Sequence, residues 1–360
     1  MGSDGEMKQW VTNQKGLDQL RMESAPIPSQ LKANEVLVKI NSVSLNYRDT
    51  EVCMGLYGHH KSIQQNASLV PCSDAAGVVV KTGGAEAEEI LAVGQRVLSI
   101  FTQSHLKGQI LERDMATQMG LPLPGVLTQY RVFPASALVR IPDSLTDHEA
   151  STLPIAAVTA WTSINWMRPI GQHLQGKENV VVFQGTGGVS IMGLQIAKAC
   201  NLTAIVTSSS DEKLEKARQL GADHLINYKK QPDWHTEVLR LTEERGADII
   251  LECGGSGTLN KSFECIAFGG LISCIGYLSG KEDAPGSRMN TNVLALKRNV
   301  TLKGILNGGK DRFEEMLAAV YQKNDVHPVV DEVFEFDQAD KAIQYLFSGQ
   351  HFGKVVVRVC

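Results

Sequence analysis

The clearest chemical signature lies near the middle of the chain. The apolar run Val180 to Phe183 is followed by Gln184 and then by GTGGVS, Gly185 to Ser190, which opens a helical pattern from Ile191 to Cys200. In such a strand–turn–helix unit the first glycine makes the tight turn. The second lets backbone N–H groups approach a pyrophosphate at the positive end of the helix. Gly185, Thr186, Gly187, Gly188 and Val189 are therefore candidate dinucleotide-binding residues. Ser190 stands where a third glycine is usual, and an ordinary strand-to-helix turn is the plainer alternative. The continuous apolar strand before the loop and the second strand about 20 residues on favour the dinucleotide.

What ends that second strand, Ala204 to Thr207, selects the dinucleotide. An NAD site places a carboxylate there for the ribose 2′-hydroxyl, whereas an NADP site offers hydroxyls and a cation to a 2′-phosphate. No acidic residue occurs between Glu178 and Asp211; the strand runs into Ser208, Ser209 and Ser210, with Lys213 one helical turn on. Ser208, Ser209 and Lys213 are thus expected to hold the 2′-phosphate of NADPH, although Ser209 and Glu212 also have the spacing of a capping box that merely starts a helix. Tyr228, after the next strand, is placed either to stack on adenine or to bond the phosphate; a core or surface tyrosine is the alternative.

These residues need a scaffold, and the hydrophobic periods supply one. From Gly176 onward, strands apolar on both faces (Val180–Phe183, Ala204–Thr207, Asp248–Leu251, Leu271–Ile275) alternate with helices, the mark of a doubly wound parallel sheet. Before residue 150 the chain is β-rich, with alternating or short apolar runs at Glu35–Val43, Ala76–Val80 and Gln95–Ile100. The stretch from Phe101 to Gly125 reads as a long surface loop. A helix is expected at Arg312–Gln322 and a closing strand at Lys354–Val359.

Composition bounds the reading. A chain of 360 residues, 43% hydrophobic and 21% charged, is a globular protein large enough for two domains. With 35 basic against 39 acidic residues and no basic run, a nucleic-acid partner is not expected. The seven cysteines (Cys53, Cys72, Cys200, Cys253, Cys265, Cys274 and Cys360) form no CxxC pair, so neither a disulfide framework nor a zinc knuckle is expected. Met1 to Trp10 lacks the apolar core of a signal peptide, and Glu6 breaks the myristoylation pattern. Ala150 to Met167 is uncharged but holds Pro154 and five Ser or Thr residues, which fits a buried helix start better than a membrane span. The expected setting is cytoplasmic, away from membranes.

Taken in order, NEVLVKINSVSLNYRD (Asn34–Asp49), GLYG (Gly55–Gly58), PCSDAAGVV (Pro71–Val79), GQRV (Gly94–Val97), LPIAAVTAW (Leu153–Trp161), GTGGVS and HFGKVVV resemble the medium-chain dehydrogenase/reductase superfamily. Within it the chain resembles the zinc-independent quinone and enoyl reductases. The resemblance implies an α/β protein: a GroES-like β-rich catalytic domain from residues 1–154 and 310–360, and a Rossmann doubly wound parallel-sheet domain at 155–309. It also implies an active site in the cleft, a small-molecule substrate and a homodimer. Zinc-dependent relatives take catalytic ligands at positions that here hold Asn46, Ser73, Asp74 and Ile155 or Ala156, and no cysteine stands between Phe101 and Gly125 for a structural zinc. No metal is therefore expected at either family site. An unrelated site from Cys53, His59, His60 and Cys72 is the remaining metal alternative; solvated loop histidines are the simpler reading.

Without a Lewis acid, a conjugated acceptor is favoured, because charge spreads onto oxygen as hydride enters at carbon. By resemblance Tyr57 donates the proton, its phenol being protonated at neutral pH; in quinone reductases it is only a pocket wall. Gly58 stands where many relatives have proline. Asn46 is expected to orient cofactor or substrate with its amide, or else to cap a strand end. Thr159 is expected under the nicotinamide, or as a helix cap. Gly276, Asn307, Phe352 and Lys354 resemble segments approaching the nicotinamide half or the pyrophosphate, while Asp49 and Asp74 are assigned structural hydrogen bonds.

The expected activity is NADPH-dependent reduction of an activated C=C bond. Quinone or carbonyl reduction is the enzymatic alternative, and a nucleotide-binding, non-catalytic relative the other class. The phosphate assignment predicts that Lys213→Glu weakens NADPH binding by about 10- to 100-fold, the worth of one charge-assisted contact, and spares NADH. Equal losses for the two nucleotides in a fluorescence titration would refute it.

Overall fold

The computed structural model describes residues 5–58, 68–282 and 289–360. In chain order the strands are β1 (Glu6–Val11), β2 (Arg21–Pro26), β3 (Glu35–Ser44), β4 (Asp74–Thr82), β5 (Arg96–Ser99), β6 (Tyr130–Pro134), β7 (Leu138–Arg140), β8 (Val180–Gln184), β9 (Thr203–Ser208), β10 (His224–Asn227), β11 (Ala247–Glu252), β12 (Ile266–Cys274), β13 (Thr301–Gly304), β14 (Val330–Glu335) and β15 (Lys354–Arg358). The chain divides into two compact units, Met1–Val158 with Gly308–Cys360, and Thr159–Asn307. The boundaries expected at 154/155 and 309/310 thus fall at 158/159 and 307/308.

The first unit is built on a sheet in the order β14-β15-β3-β4-β5-β7, with β6 also pairing β3. Val36, Val38 and Ile40 of β3 and, past a register shift between Ile40 and Ser42, Val43 enter a core shared with Phe133, Ile343, Val355 and Val357. The last strand sits inside this sheet. β15 runs parallel to β14 and antiparallel to β3, with Val356 opposite Ser44 and Val357 opposite Val43. This register lays Lys354 beside the residues that follow β3, where Leu45 N donates to Val355 O at 2.9 Å. The stretch from Phe101 to Gly125, expected to be loop, contains one 3₁₀ segment, Glu112–Thr117.

The second unit is a six-stranded parallel sheet in the order β10-β9-β8-β11-β12-β13. β8 is buried along its whole length, which accounts for the unbroken VVVF. The helix Gly188–Ala199 packs close to β8 at Gly193, where an added Cβ would lie 2.5 Å from Phe183 Cε1. The third glycine of such loops allows close helix–strand packing; here Gly193 provides that close approach. Ser190 instead donates from Oγ to Gln184 O at 2.7 Å and ties the helix start to the strand end. No helix among the described residues is long and apolar enough to cross a membrane.

Candidate functional site

In the second unit the site residues collect at the carboxyl ends of the parallel strands. The sheet order reverses between β8, whose next strand lies on one side, and β11 on the other, and ligands bind open parallel sheets at such a switch point. Gly185 takes a positive φ of 80° and its N–H donates to Thr207 O at 2.9 Å, which pins the loop to the end of β9. Gly187 precedes the first helical residue, and the N–H groups of Gly188 and Val189 belong to the turn that helix geometry leaves unbonded. A Cβ at Gly185 or Gly187 would meet nothing within 4 Å, so the loop faces open space. Thr186 is buried within it.

The neighbouring strand ends carry the remaining candidates. Ser208 is buried at the end of β9, with Ser209 half-buried after it. The helix Asp211–Gln219 is capped by Ser210, whose Oγ accepts from Lys213 N at 3.3 Å; the capping-box reading of Ser209 is thereby corrected. Lys213 lies in the first turn of that helix. Tyr228 is exposed just past β10, and its N–H donates to Ser208 O at 3.1 Å, so ring and hydroxyls share one corner. Gly276 follows β12 and donates to Glu252 O at 3.2 Å. Asn307, past β13, donates from Nδ2 to Thr159 Oγ1 at 3.2 Å; two residues 148 apart in sequence form one pair.

Two residues that the sequence did not single out hold this edge together. Gln184 and Glu252 end β8 and β11, on either side of the switch point, and Gln184 Nε2 donates to Glu252 Oε2 at 2.8 Å. Glu252 also accepts from Ser262 Oγ at 2.5 Å, from Thr258 Oγ1, and from the N–H groups of Gly254 and Gly255 at 2.9 and 3.0 Å. Gln184 Oε1 accepts from Cys253 and Gly254 N–H. A buried carboxylate so fully bonded fixes the turn after β11 against the glycine loop. The available signal was a polar residue closing each apolar run, VVVFQ and ADIILE.

The first unit holds Asn46, Tyr57, Phe352 and Lys354. Asn46 starts the helix Tyr47–Cys53, with its N–H donating to Asp49 Oδ2 and its carbonyl accepting from Asp49 N–H, both at 2.8 Å. The side-chain oxygen does not cap the helix; it accepts from Lys354 Nζ at 2.6 Å, and the same ammonium donates to Leu45 O at 2.6 Å. Lys354 is 2% exposed, so its expected approach to a pyrophosphate is corrected: the ammonium is held inside the unit. Phe352 is likewise buried. Tyr57 packs on Val52, Leu69 and Leu121, and its ring lies over the Arg48 guanidinium at 4.6 Å. Phe101 covers the same guanidinium at 4.8 Å, and Arg48 donates to Met119 O at 3.1 Å and Leu121 O at 3.4 Å. Arg48, which the sequence reading passed over, thus clamps Tyr57 to the 101–121 segment.

Asp49 and Asp74 make the structural bonds expected of them. Asp74 accepts from Ser73 Oγ at 2.8 Å and from Ile155 N at 3.0 Å, anchoring the π-helical turn Leu153–Ala157. Burial pushes Asp74 above the ordinary carboxylate range, opposed by the Lys354 charge and by hydrogen bonds from Asn46, Ile155 and Ser73. Burial likewise pushes Lys354 down, opposed by Asp74 and Asp49. The donors at the family's catalytic metal positions are therefore an amide facing an ammonium, a hydroxyl and carboxylate bonded to each other, and an apolar Ile155. This set, without thiolate or imidazole and with a fixed cation at its edge, does not fit zinc. No cluster of three metal-ligating side chains occurs among the described residues; His59 and His60 lie outside them. Each of the seven cysteines is a free thiol.

Burial pushes the Asp49 carboxyl from 3.8 to about 6, against the pull of Arg48 and the Asn46 N–H. Across that window the folded chain holds a proton that the unfolded chain has released, so wild-type stability falls as pH rises through it. Asp49→Asn does not titrate. Between about pH 4 and about pH 7 its unfolding free energy should improve relative to wild type by on the order of 3 kcal/mol. Urea titrations at both pH values check this, and a pH-independent difference would refute the assignment.

The chain matches the family model described as alcohol dehydrogenase GroES-like domain over residues 32–143 and that described as zinc-binding dehydrogenase over 188–323. It is 40% identical over 346 residues to a zinc-type alcohol dehydrogenase-like protein of Schizosaccharomyces pombe, covering 96% of each chain. It is 28% identical over 358 residues to a chloroplastic NADPH-dependent alkenal/one oxidoreductase of Arabidopsis thaliana, covering 98% of this chain and 79% of that one. A crystal structure from Sinorhizobium meliloti described as an alcohol dehydrogenase superposes with a TM-score of 0.86 at 37% identity, covering 99% of both chains. With the GroES-like fold, the parallel-sheet unit and these relatives in agreement, the chain belongs to the medium-chain dehydrogenase/reductase superfamily of oxidoreductases.

Proposed function

We propose that the protein is an NADPH-dependent, metal-free reductase of conjugated C=C bonds in enones or enals. The observation that carries this reading is the donor set at the family's metal positions, where Asn46, Ser73, Asp74 and Ile155 stand in place of ligands for a Lewis acid and the buried Lys354 ammonium bonds Asn46. An acceptor that delocalises its own charge needs only hydrogen-bond donors at its oxygen. The acid-free end of β9, with Ser208 and Ser209 followed by Lys213, supports NADPH as the reductant, as does the likeness to the alkenal/one oxidoreductase.

Gly185, Thr186, Gly187, Gly188 and Val189 would hold NADPH, which when bound would supply a hydride for the β-carbon of the acceptor. The chain's own residues manage the charge that results. The C=C electron pair would move onto the carbonyl oxygen of an acceptor oriented by the Asn46 amide. Tyr57 Oη then gives its proton to the α-carbon and regains one from solvent. Thr159 and Asn307, bonded to each other, would hold the nicotinamide end. Quinone reduction is the second reading: the Tyr57 ring is clamped on Arg48 like a pocket wall, and a quinone takes its protons on oxygen.

A panel of enones, enals, quinones and aldehydes, followed by NADPH oxidation, tests the assignment. Enones and enals should turn over fastest, and Tyr57→Phe should lower kcat for them by about 100-fold while leaving quinones near wild type. Full enone turnover by Tyr57→Phe would remove Tyr57 as the acid. NADPH binding without oxidation of any acceptor would mark a non-catalytic relative.

We also propose a homodimer joined along β13. This strand ends the parallel sheet, and Leu278, Val293, Leu296, Leu302 and Leu306 around it are exposed, an apolar edge of the kind that pairs with another chain. Light scattering should give a dimer for wild type and a monomer for Leu302→Asp/Leu306→Asp; a dimeric variant would rule out this edge.

A further inference from the structure

The acid-free end of β9 is followed at once by an acid. Asp211 opens the helix Asp211–Gln219, so a carboxylate stands three residues past Ser208. In a dinucleotide-binding sheet the second strand ends at the ribose, where a carboxylate favours the 2′-hydroxyl of NAD. The same charge repels a 2′-phosphate. An NADPH site with Asp211 at its edge has to deal with that carboxylate.

Two donors from a different strand converge on it. Asn227, the last residue of β10, donates from Nδ2 to Asp211 Oδ1 at 2.7 Å, and Lys230 Nζ donates to Oδ2 at 2.5 Å. The turn after β10 is built to present both. Lys229 N–H donates to Asn227 Oδ1 at 3.0 Å, which leaves the amide NH₂ to face Asp211, and Lys230 N–H donates to Asn227 O at 3.0 Å, which folds the lysine back toward it. Asn227 lies opposite Ser208 in the parallel pairing of β10 with β9, so this turn and the serines share one edge of the sheet. Lys230 first and Asn227 second hold the Asp211 carboxyl below the usual carboxylate range.

A helix start does not require this arrangement. An acid in the first turn is favoured by the helix dipole alone, and the next acid, Glu212, pairs with Lys216 of its own helix at 3.1 Å. Stability does not require it either, since Lys230 and Asp211 are 68% and 61% exposed and exposed ion pairs contribute little. The exposure also means that substitutions here leave the fold intact.

We infer that Lys230 and Asn227 are positioning residues that set nucleotide specificity: by taking both oxygens of Asp211, they turn its carboxylate onto the β10 turn and withhold it from the ribose. This rests on the reading of NADPH as the reductant. The corner then accepts a 2′-phosphate with an acid beside it, because the acid is already engaged. Neither residue needs to touch the nucleotide for this effect.

The test is fluorescence titration of NADPH and NADH against wild type, Asn227→Ala, Lys230→Gln, Asp211→Asn, and each of the first two combined with Asp211→Asn. Lys230→Gln should lower NADPH affinity by about 10-fold, the worth of one charge-assisted contact, and should raise NADH affinity as the released carboxylate takes the 2′-hydroxyl. Asn227→Ala changes no charge and should shift both affinities in the same directions by a smaller factor. A merely structural loss would weaken both nucleotides together. In the Asp211→Asn background both shifts should disappear. An NADH affinity that does not rise, or a Lys230→Gln loss of NADPH that is as large without the Asp211 carboxylate, would overturn the inference and leave the NADPH reading standing. Wild type binding NADH as tightly as NADPH would refute that reading, and the inference with it.

Discussion

The first unit depends on keeping one ammonium inside a protein. Removing a lysine charge from water costs several kcal/mol unless partners replace the hydration. Lys354 meets that cost with two short hydrogen bonds, to Leu45 O and Asn46 Oδ1, and with two buried carboxylates, Asp49 and Asp74, in its field. Those partners come from the end of β3, the helix after it and the start of β4, while Lys354 opens β15 some 300 residues later. The ammonium therefore enforces the discontinuous domain. Only a chain that returns its last strand to the centre of the sheet, antiparallel to β3, can place the cation there.

The second unit solves a different problem, that of holding a flexible glycine loop in one place. A loop chosen for backbone access has few side chains with which to anchor itself. Its anchors are consequently on either side: Thr207 O takes the Gly185 N–H, and Gln184 and Glu252 join the two strand ends that flank the switch point. Glu252 accepts five hydrogen bonds, which makes its burial tolerable and the turn after β11 rigid.

Much of this was legible in local sequence because it depends on local constraints. The apolar strand, the glycine loop and the acid-free end of β9 are contiguous, and their spacing encodes the geometry directly. Asn46 and Ser73 likewise announced by residue type that no soft ligand was on offer. The failures share a cause. Lysine is almost never fully buried, and nothing in KVVVRV reports that β15 lies between two other strands, so Lys354 was assigned by resemblance to a segment approaching the nicotinamide half or the pyrophosphate. Gln184 and Glu252 are 68 residues apart and acquire meaning only when β8 and β11 become neighbours. Arg48 acquires its role only when Tyr57 and Phe101 both pack against its guanidinium. Gly193 was hidden because it lies three residues beyond the GTGGVS run, inside the helix.

The contrast between a metal and a buried lysine bears on which acceptors the proposed reductase can serve. A zinc ion binds a substrate oxygen directly and stabilises a full alkoxide charge. The Lys354 ammonium cannot do this, since it is sealed from solvent and already bonded to two oxygens. Whatever stabilisation it lends must pass through the Asn46 amide, a dipole and not an ion. A dipole suffices where negative charge is shared between carbon and oxygen, as in an enolate, and falls short where hydride addition leaves the charge on one oxygen. On the proposed reading, the exchange of metal ligands for an amide backed by a lysine thus narrows the reaction toward conjugated acceptors, before any side chain lining the substrate pocket has a say.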